Sequence, residues 1–419
     1  MTTIASFRRQ RWTLFGVLAL MYILVYFYRV SLAVVAGDIS RELRLSPQQL
    51  GTLSGILFYV YAFAQLPLGP LIDRLGGRLV ISCCGVLTTM GGILFSQADT
   101  LQTAMAARVL IGLGTASVLM GTFTIFSHWF GKQEFGRVSG FMVAVGNLGN
   151  LSATAPLALA VGAIGWRSSF LTIGIAQALV TLLVFVMVRN RPPVAGPGGE
   201  SAKGSPRPSG MMAAWGEIFG SRDFWLLGVI AFFWYGNYLA LQGLWGGPYL
   251  MEVLHLSRAE AGQKLMCTSL GFICGSMVTD TIARKLFRSY KKTLLAGQML
   301  LLVLMTAFLG AADTLSQPSL ATGFFAIGLA VSSGVMIYPI IRSMFRVEIV
   351  GTALTSLNFF VLMGAASTQQ IMGVIVGSFG RTALGASPRA FHAAFLFPIS
   401  GLAIAIVLFM CARDYWEKG

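Results

Sequence analysis

Charge is scarce in this 419-residue chain: 11% of its residues are Asp, Glu, Lys or Arg, and only 15 of them are acidic. Soluble domains carry roughly a quarter of their residues as charged ones. A soluble chain of this length would split into two or three domains, each needing a polar shell. The material for such shells is missing, so a soluble enzyme is excluded. Cysteine is scarce too. Cys83, Cys84, Cys267, Cys274 and Cys411 all fall in apolar stretches, and no pair has the spacing of a zinc or redox site. They read as small packing groups. Also missing are a phosphate-binding glycine loop with its lysine, a metal-ligand cluster and a nucleophile–base set. No enzyme activity, cofactor or metal is therefore expected, and ATP is not the energy source on this chain. His128, His255 and His392 stand at span ends or in a loop and carry no assigned proton role.

What the chain does have is apolar length. Hydrophobic residues make up 56% of it and come in blocks such as 12–36, 79–95 and 171–188. A bilayer core needs about 20 apolar residues per helix. Twelve candidate spans follow, at 12–36, 47–72, 77–97, 104–127, 136–161, 166–188, 223–249, 258–283, 292–312, 318–341, 350–376 and 390–412. The first resembles a signal peptide only superficially. It is too long, contains Arg29 and lacks a small-residue cleavage site, so it is retained as span 1. With the N-terminus inside, predicted cytoplasmic segments hold 21 of the 30 Lys and Arg, and the opposite face holds 7. That is the positive-inside asymmetry. The net charge of +15 thus sets topology, with both termini cytoplasmic, and no nucleic-acid partner is expected.

Between Arg189 and Ser221 the composition changes abruptly. RNRPPVAGPGGESAKGSPRPSG holds five prolines and five glycines and has little to bury. It reads as a flexible cytoplasmic linker, 189–221, between six-span halves at 1–188 and 222–419. The fold class is an all-α membrane protein of twelve transmembrane helices in two six-helix halves. Such halves suggest a transporter with its substrate site at the interface of internal repeats. A faint internal echo supports the repeat. Asp73 stands five residues before Arg78, and Asp280 five before Lys285, each Asp at the cytoplasmic end of a helix. Asp73 with Arg74 and Arg78, and Asp280 with Lys285, are expected as conformational latches. The plainer reading is two interfacial turns.

Gly69, Asp73, Arg74, Gly76 and Arg78, the arginine-containing Arg108–Gly114 stretch and Trp166-Arg167-Ser-Ser-Phe170 together resemble the major facilitator superfamily over nearly the whole chain. The antiporter signature of span 5 is degraded, with Ala155-Pro156 where Gly-Pro is usual. Tyr26-Phe-Tyr28-Arg29-Val-Ser31-Leu-Ala33 and Ser46–Gly51 are most similar to the organophosphate:phosphate antiporter and anion:cation symporter families. The resemblance implies that Arg29 contacts an anionic group. It also implies a second arginine on span 7, where this chain has Leu239. That departure argues against a doubly charged phosphate. Monomers are common in the resembled family, so a monomer in the lipid bilayer is expected.

The interior charges read from the sequence are Arg29 and Arg108. An intramembrane charge costs roughly 2.5–3.5 kcal/mol on insertion scales, so it faces a cavity or a partner. No acidic residue lies at their depth, which favours a small-molecule anionic substrate. Arg29 is the expected anchor. Arg108, near the outer end of span 4, is expected to brace span 1. Helical spacing places Tyr22 and Tyr26 on the Arg29 face, Tyr238 and Gln242 together with Trp234 and Trp245 on span 7, and Asn147 and Asn150 on span 5. Gln65, with Phe58 and Tyr61 on span 2, and Asn358 and Gln369 on span 11 complete the candidate set. Amides and phenols beside a guanidinium suit an oxygen-rich anion; equally, single amides can simply join helices.

The leading expectation is therefore alternating-access transport of a small organic anion (sugar phosphate, sugar acid or carboxylate) across a bacterial inner membrane. Two alternatives stand beside it. One is a proton-coupled multidrug or metabolite exporter with aromatic cavity walls. The other is a transporter-like sensor that reports ligand to a partner protein.

Overall fold

A computed structural model describes residues 2–192, 211–379, 381–382 and 385–415. Helix accounts for nearly all of it. Among the described residues, ten segments are long and apolar enough to cross a membrane. The segment Val138–Met187 is 50 residues long and is divided at Gly165, whose φ of 77° leaves the helical region. It therefore makes two passes. Pro47–Leu75, a helix of 29 residues, adds another. The described chain thus carries the twelve passes expected.

In chain order, span 1 is Phe7–Val30, continued by a helix over Leu32–Glu42, and span 2 is Pro47–Leu75. Spans 3 and 4 are Gly77–Ser96 and Leu101–Trp129. Span 5 begins with Lys132–Ser152, and span 6 ends the helix that closes at Met187. The second set is Arg222–Val253, Arg258–Phe287, Tyr290–Leu309, Gln317–Met344, Ile349–Ser378 and Pro388–Met410, spans 7 to 12. Helix starts are written locally. Thr100, Ser221, Ser257, Ser289, Ser316 and Ser387 each accept a first-turn backbone N–H, satisfying donors that a helix end leaves open.

Polar shells are replaced by apolar ones. Leu159, Val186, Val303 and Met277 are exposed on the outside of the helices, as a lipid-facing surface requires. Inside, backbones meet through small residues, as in membrane bundles generally. Gly271 of span 8 and Gly328 of span 10 lie against each other's backbones, with Phe325 and Thr268 carbonyls at the positions a Cβ would need. Gly364 does the same between spans 11 and 7, against Phe232.

Contacts cluster into two compact units. One comprises Met1–Asp38 and Ile56–Lys203, the other Ile39–Gly55 and Gly204–Gly419. The start of span 2 joins the second unit because Gly51 and Gly55 bring it against the backbone of span 11 at Gln369 and Ala366.

Two details differ from the sequence reading. Much of the expected linker lies outside the described residues, but Met211–Gly220 within it is a helix. Its proline-free, apolar stretch is held by Trp225, whose indole N–H donates to the Phe219 carbonyl at 2.8 Å, and by a Glu217–Arg346 ion pair at 2.6 Å. Between spans 11 and 12, Arg381–Thr382 pairs antiparallel with Gly385–Ala386, a hairpin too short to leave a hydrophobic period.

Candidate substrate site

In the first unit the expected cation lies where the sequence puts it. Arg29 ends span 1 and is 8% exposed. Its guanidinium carbon sits 4.8 Å from the ring centre of Tyr26 and 4.8 Å from that of Tyr61. Two aromatic rings thus lie close to a planar cation, an arrangement that offsets part of its desolvation. The Tyr61 hydroxyl is in hydrogen-bond contact with both Arg29 and Gln65, and Gln65 is buried. Tyr22 stands one turn below Tyr26, with their hydroxyls 3.3 Å apart and their rings edge to face at 4.9 Å. Phe58 is buried on the same span as Tyr61. Asp38 follows Arg29 by nine residues, about 13 Å along a continuing helix.

Span 5 supplies the amides because two glycines let it approach. The Gly146 Cβ position is 2.6 Å from the Tyr22 ring and 3.3 Å from the Tyr26 ring, and that of Gly149 is 2.0 Å from the Ile23 carbonyl oxygen. Asn147 lies between these glycines and Asn150 follows them. Both are buried, and Asn150 Nδ2 donates to Asn147 Oδ1 at 3.2 Å. Tyr22, Tyr26, Arg29, Tyr61 and Gln65 therefore form one cluster of phenols, a primary amide and a guanidinium, with the span 5 glycines directly against it.

Arg108 has a different environment. It is 1% exposed and donates from Nη1 to the Tyr28 carbonyl of span 1 at 3.0 Å. A fixed backbone partner makes it a brace between spans 4 and 1.

In the second unit, span 7 departs from the α-helix just where its candidate residues sit. Ala240–Trp245 and Tyr249–Val253 are π-helical turns on either side of Gly246–Pro248. Such turns displace backbone hydrogen bonds and recur at functional positions. Gln242 lies in the first turn, fully buried, and donates from Nε2 to Ser269 Oγ at 3.0 Å. Its Oε1 is buried without a hydrogen-bond partner among the described residues, an acceptor still to be satisfied. Tyr238 stacks on Phe272 with ring centres 5.6 Å apart. Asn358 is half-buried on span 11.

Other expected residues serve the frame. Gln369 donates from Nε2 to the Leu239 carbonyl at 2.8 Å, and its own carbonyl accepts the Trp245 indole N–H at 2.9 Å. The first contact falls at the start of a π-helical turn, so Gln369 is a clamp on irregular backbone. Trp234 is likewise tied to the Val331 carbonyl at 2.8 Å. The latches also differ in detail. Arg78 donates from its backbone N–H to Asn190 Oδ1 at 2.8 Å and from Nε to the Phe185 carbonyl at 2.9 Å. The Asp73 side chain lies outside the described residues, and the Arg74 side chain is exposed. Asp280 pairs with Arg284 at 2.9 Å, where the sequence reading chose Lys285. The four-residue spacing puts Arg284 one turn away on the same face, whereas the fifth residue has rotated off it.

Two features escaped the sequence reading. Lys264, within the expected span 8 but not read as an interior charge, is 8% exposed. Its i, i+4, i+7 relation to buried Thr268 and Gly271 was the available signal. The second is a cluster of Tyr249, Asp313 and His392, far apart in sequence, that only folding could assemble.

A bundle of twelve apolar passes with polar and cationic groups buried within each half defines a multi-pass membrane transport protein. The chain belongs to the Major Facilitator Superfamily, whose family model matches residues 18–361. It is 27% identical over 319 residues, 72% of this chain and 67% of the relative, to an Escherichia coli (strain K12) protein named "Probable L-galactonate transporter". It is 23% identical over 427 residues, 95% of this chain and 90% of the relative, to a Bacillus subtilis (strain 168) protein named "Probable galactarate/D-glucarate transporter". In fold it is similar to a solved bacterial homologue of the human lysosomal transporter Spinster. The TM-score is 0.78 at 17% identity, covering 96% of this chain and 97% of the other.

Proposed function

We propose that this transporter is a secondary carrier of small hydroxylated carboxylates of the sugar-acid class, working by alternating access in a bacterial inner membrane with both termini cytoplasmic. The observation that carries the reading is Arg29, buried with its guanidinium carbon 4.8 Å from the ring centres of both Tyr26 and Tyr61. A guanidinium is a planar fork of N–H donors, a shape that suits a planar carboxylate. Tyr22, Gln65, Asn147 and Asn150 would orient the substrate hydroxyls in the first unit, and Tyr238, Gln242 and Asn358 in the second. The names of the sugar-acid relatives above support the same class. The chain's lack of a nucleotide-binding loop leaves a solute or ion gradient as the source of drive, and transport requires no bond chemistry.

The multidrug reading is weakened by the same geometry. Of its aromatic walls, Trp234, Tyr238 and Trp245, the two tryptophans are buried and bonded to backbone carbonyls, so they are parts of the packing and offer little open surface.

The test is uptake of a labelled six-carbon aldonate into proteoliposomes. Arg29→Ala should lower uptake roughly 10–100-fold, the worth of one charged hydrogen bond at 1.5–3 kcal/mol, and Arg29→Lys should recover only part of it. Undiminished aldonate uptake by the Ala protein would remove Arg29 from the site.

A further inference from the structure

At the C-terminal end of span 7, two groups from two separate elements meet around a carboxylate supplied by a third. The Tyr249 hydroxyl donates to Asp313 Oδ1 at 2.6 Å, and His392 Nε2 lies 2.9 Å from Asp313 Oδ2. Each oxygen of the acid thus has its own partner. Tyr249 opens the second π-helical turn of span 7. Asp313 belongs to the turn between spans 9 and 10, which Gly310 shapes with a φ of 132°. His392 lies in the second turn of span 12. The carboxylate and imidazole are 25% and 24% exposed, so water reaches the pair while Phe308, Phe391 and Phe395 pack around the Tyr249 ring.

The element held by this cluster is irregular. From Ala240 to Val253 span 7 runs through two π-helical turns and Pro248, and proline donates no backbone N–H. A second tie reaches the same end: Glu252 accepts the Ala386 N–H of the hairpin at 2.8 Å. The end of span 7 is therefore fixed mainly by side-chain contacts to a turn, a hairpin and span 12.

We propose that Tyr249, Asp313 and His392 form a proton-operated latch on the end of span 7. The step is proton binding alone. A proton from water adds to Nδ1 of His392, while Nε2–H continues to donate to Asp313. The hydrogen bond, charged on its acceptor alone, becomes an ion pair and gains the attraction between two opposite charges. Histidine is the side chain whose charge ordinarily changes between about pH 5 and 8. Acidification therefore tightens the latch, and alkalinisation loosens it.

Other ionisable groups around the latch do not replace His392 in this role. Glu252 on span 7 is engaged with the hairpin. Arg389 precedes His392 on span 12 and is exposed. Glu260 and Lys264, at the start of neighbouring span 8, interact with each other. The facing parts of spans 9 and 11 contribute no charged side chain among the described residues, and the Arg381 side chain lies outside them.

Hydrogen–deuterium exchange of the full-length protein tests the latch without substrate. It is followed on peptides spanning 246–256 at pH 5.5 to 8.5, with rates corrected by an unstructured reference peptide. Protection of this segment should fall about tenfold as the pH rises through the histidine range. In His392→Gln, which keeps an N–H donor without the titration, protection should be flat. In Tyr249→Phe, which removes one oxygen and leaves the packing, it should be low at every pH. Peptides from spans 3 and 9 serve as the folding control. A wild-type segment with no pH dependence, or a dependence that persists in His392→Gln or in Tyr249→Phe, overturns the proposal. Should His392→Gln disturb the control peptides, Tyr249→Phe decides alone.

Discussion

Substituting Gly149 by alanine isolates the contact on which the Arg29 cluster rests. The added Cβ would stand 2.0 Å from the Ile23 carbonyl oxygen and 2.8 Å from Tyr26 Cβ. Non-bonded carbon contacts are comfortable near 3.5 Å, so spans 1 and 5 would have to separate by roughly 1.5 Å. Both neighbours are backbone or Cβ atoms and cannot rotate away. Overpacking of this kind costs about 1–3 kcal/mol, and the backbone clash puts Gly149 at the upper end. Better helix propensity returns up to about 1 kcal/mol, leaving a net loss of about 2 kcal/mol. On the scale of 2–4 °C per kcal/mol for domains of about 200 residues, Tm should fall roughly 4–8 °C. Tyr26 rides on the displaced helix, so apparent substrate affinity should fall as well. Thermal unfolding in detergent and aldonate uptake measure the two effects. Gly140→Ala is the control, because nothing lies within 4 Å of its Cβ position on the same helix. An unchanged Tm and unchanged uptake in Gly149→Ala would refute the assigned packing of spans 1 and 5.

Three further outcomes follow from the same geometry. Gln369→Leu strands the Leu239 carbonyl at the π-helical turn and should cost about 1–3 kcal/mol, read as a lower Tm and faster amide exchange in residues 239–246. Gly165→Ala meets no atom within 4 Å, yet must hold a φ of 77°, so it should lose about 1–2 kcal/mol from backbone strain alone with little change in KM. Arg11 donates to both oxygens of Glu134 at 3.0 Å, and this hydrogen bonding holds the carboxyl below its usual range. A depressed folded-state pKa stabilises above the unfolded value of about 4.3 and loses that contribution as pH falls through the folded one. Glu134→Gln should therefore lower Tm slightly at pH 7, by the ~0.2–1 kcal/mol of a half-exposed pair, and not at all in strong acid; an equal loss at both would sink the assignment.

Local composition was enough to determine the number of passes and the burial of Arg29 and Arg108, because a bilayer demands long apolar runs and tolerates interior charge only with a purpose. Periodicity also placed Tyr22, Tyr26 and Arg29 on one face, since helix geometry alone relates them. Partnership was decided by the tertiary structure. Gln242 and Gln369 are both buried amides near the same turn, and in both the side-chain oxygen lacks a hydrogen-bond partner among the described residues; they differ in what the amide N–H meets, a serine hydroxyl for Gln242 and the Leu239 backbone carbonyl for Gln369. Their spacing carries no trace of that difference. Lys264 was legible in principle, but one charge near a helix start is not read as interior until burial is known. Tyr249, Asp313 and His392 share no period and are brought together by three connections. A polar group's role depends on which donor or acceptor the fold sets opposite it, and that pairing is a property of space that a linear pattern does not contain.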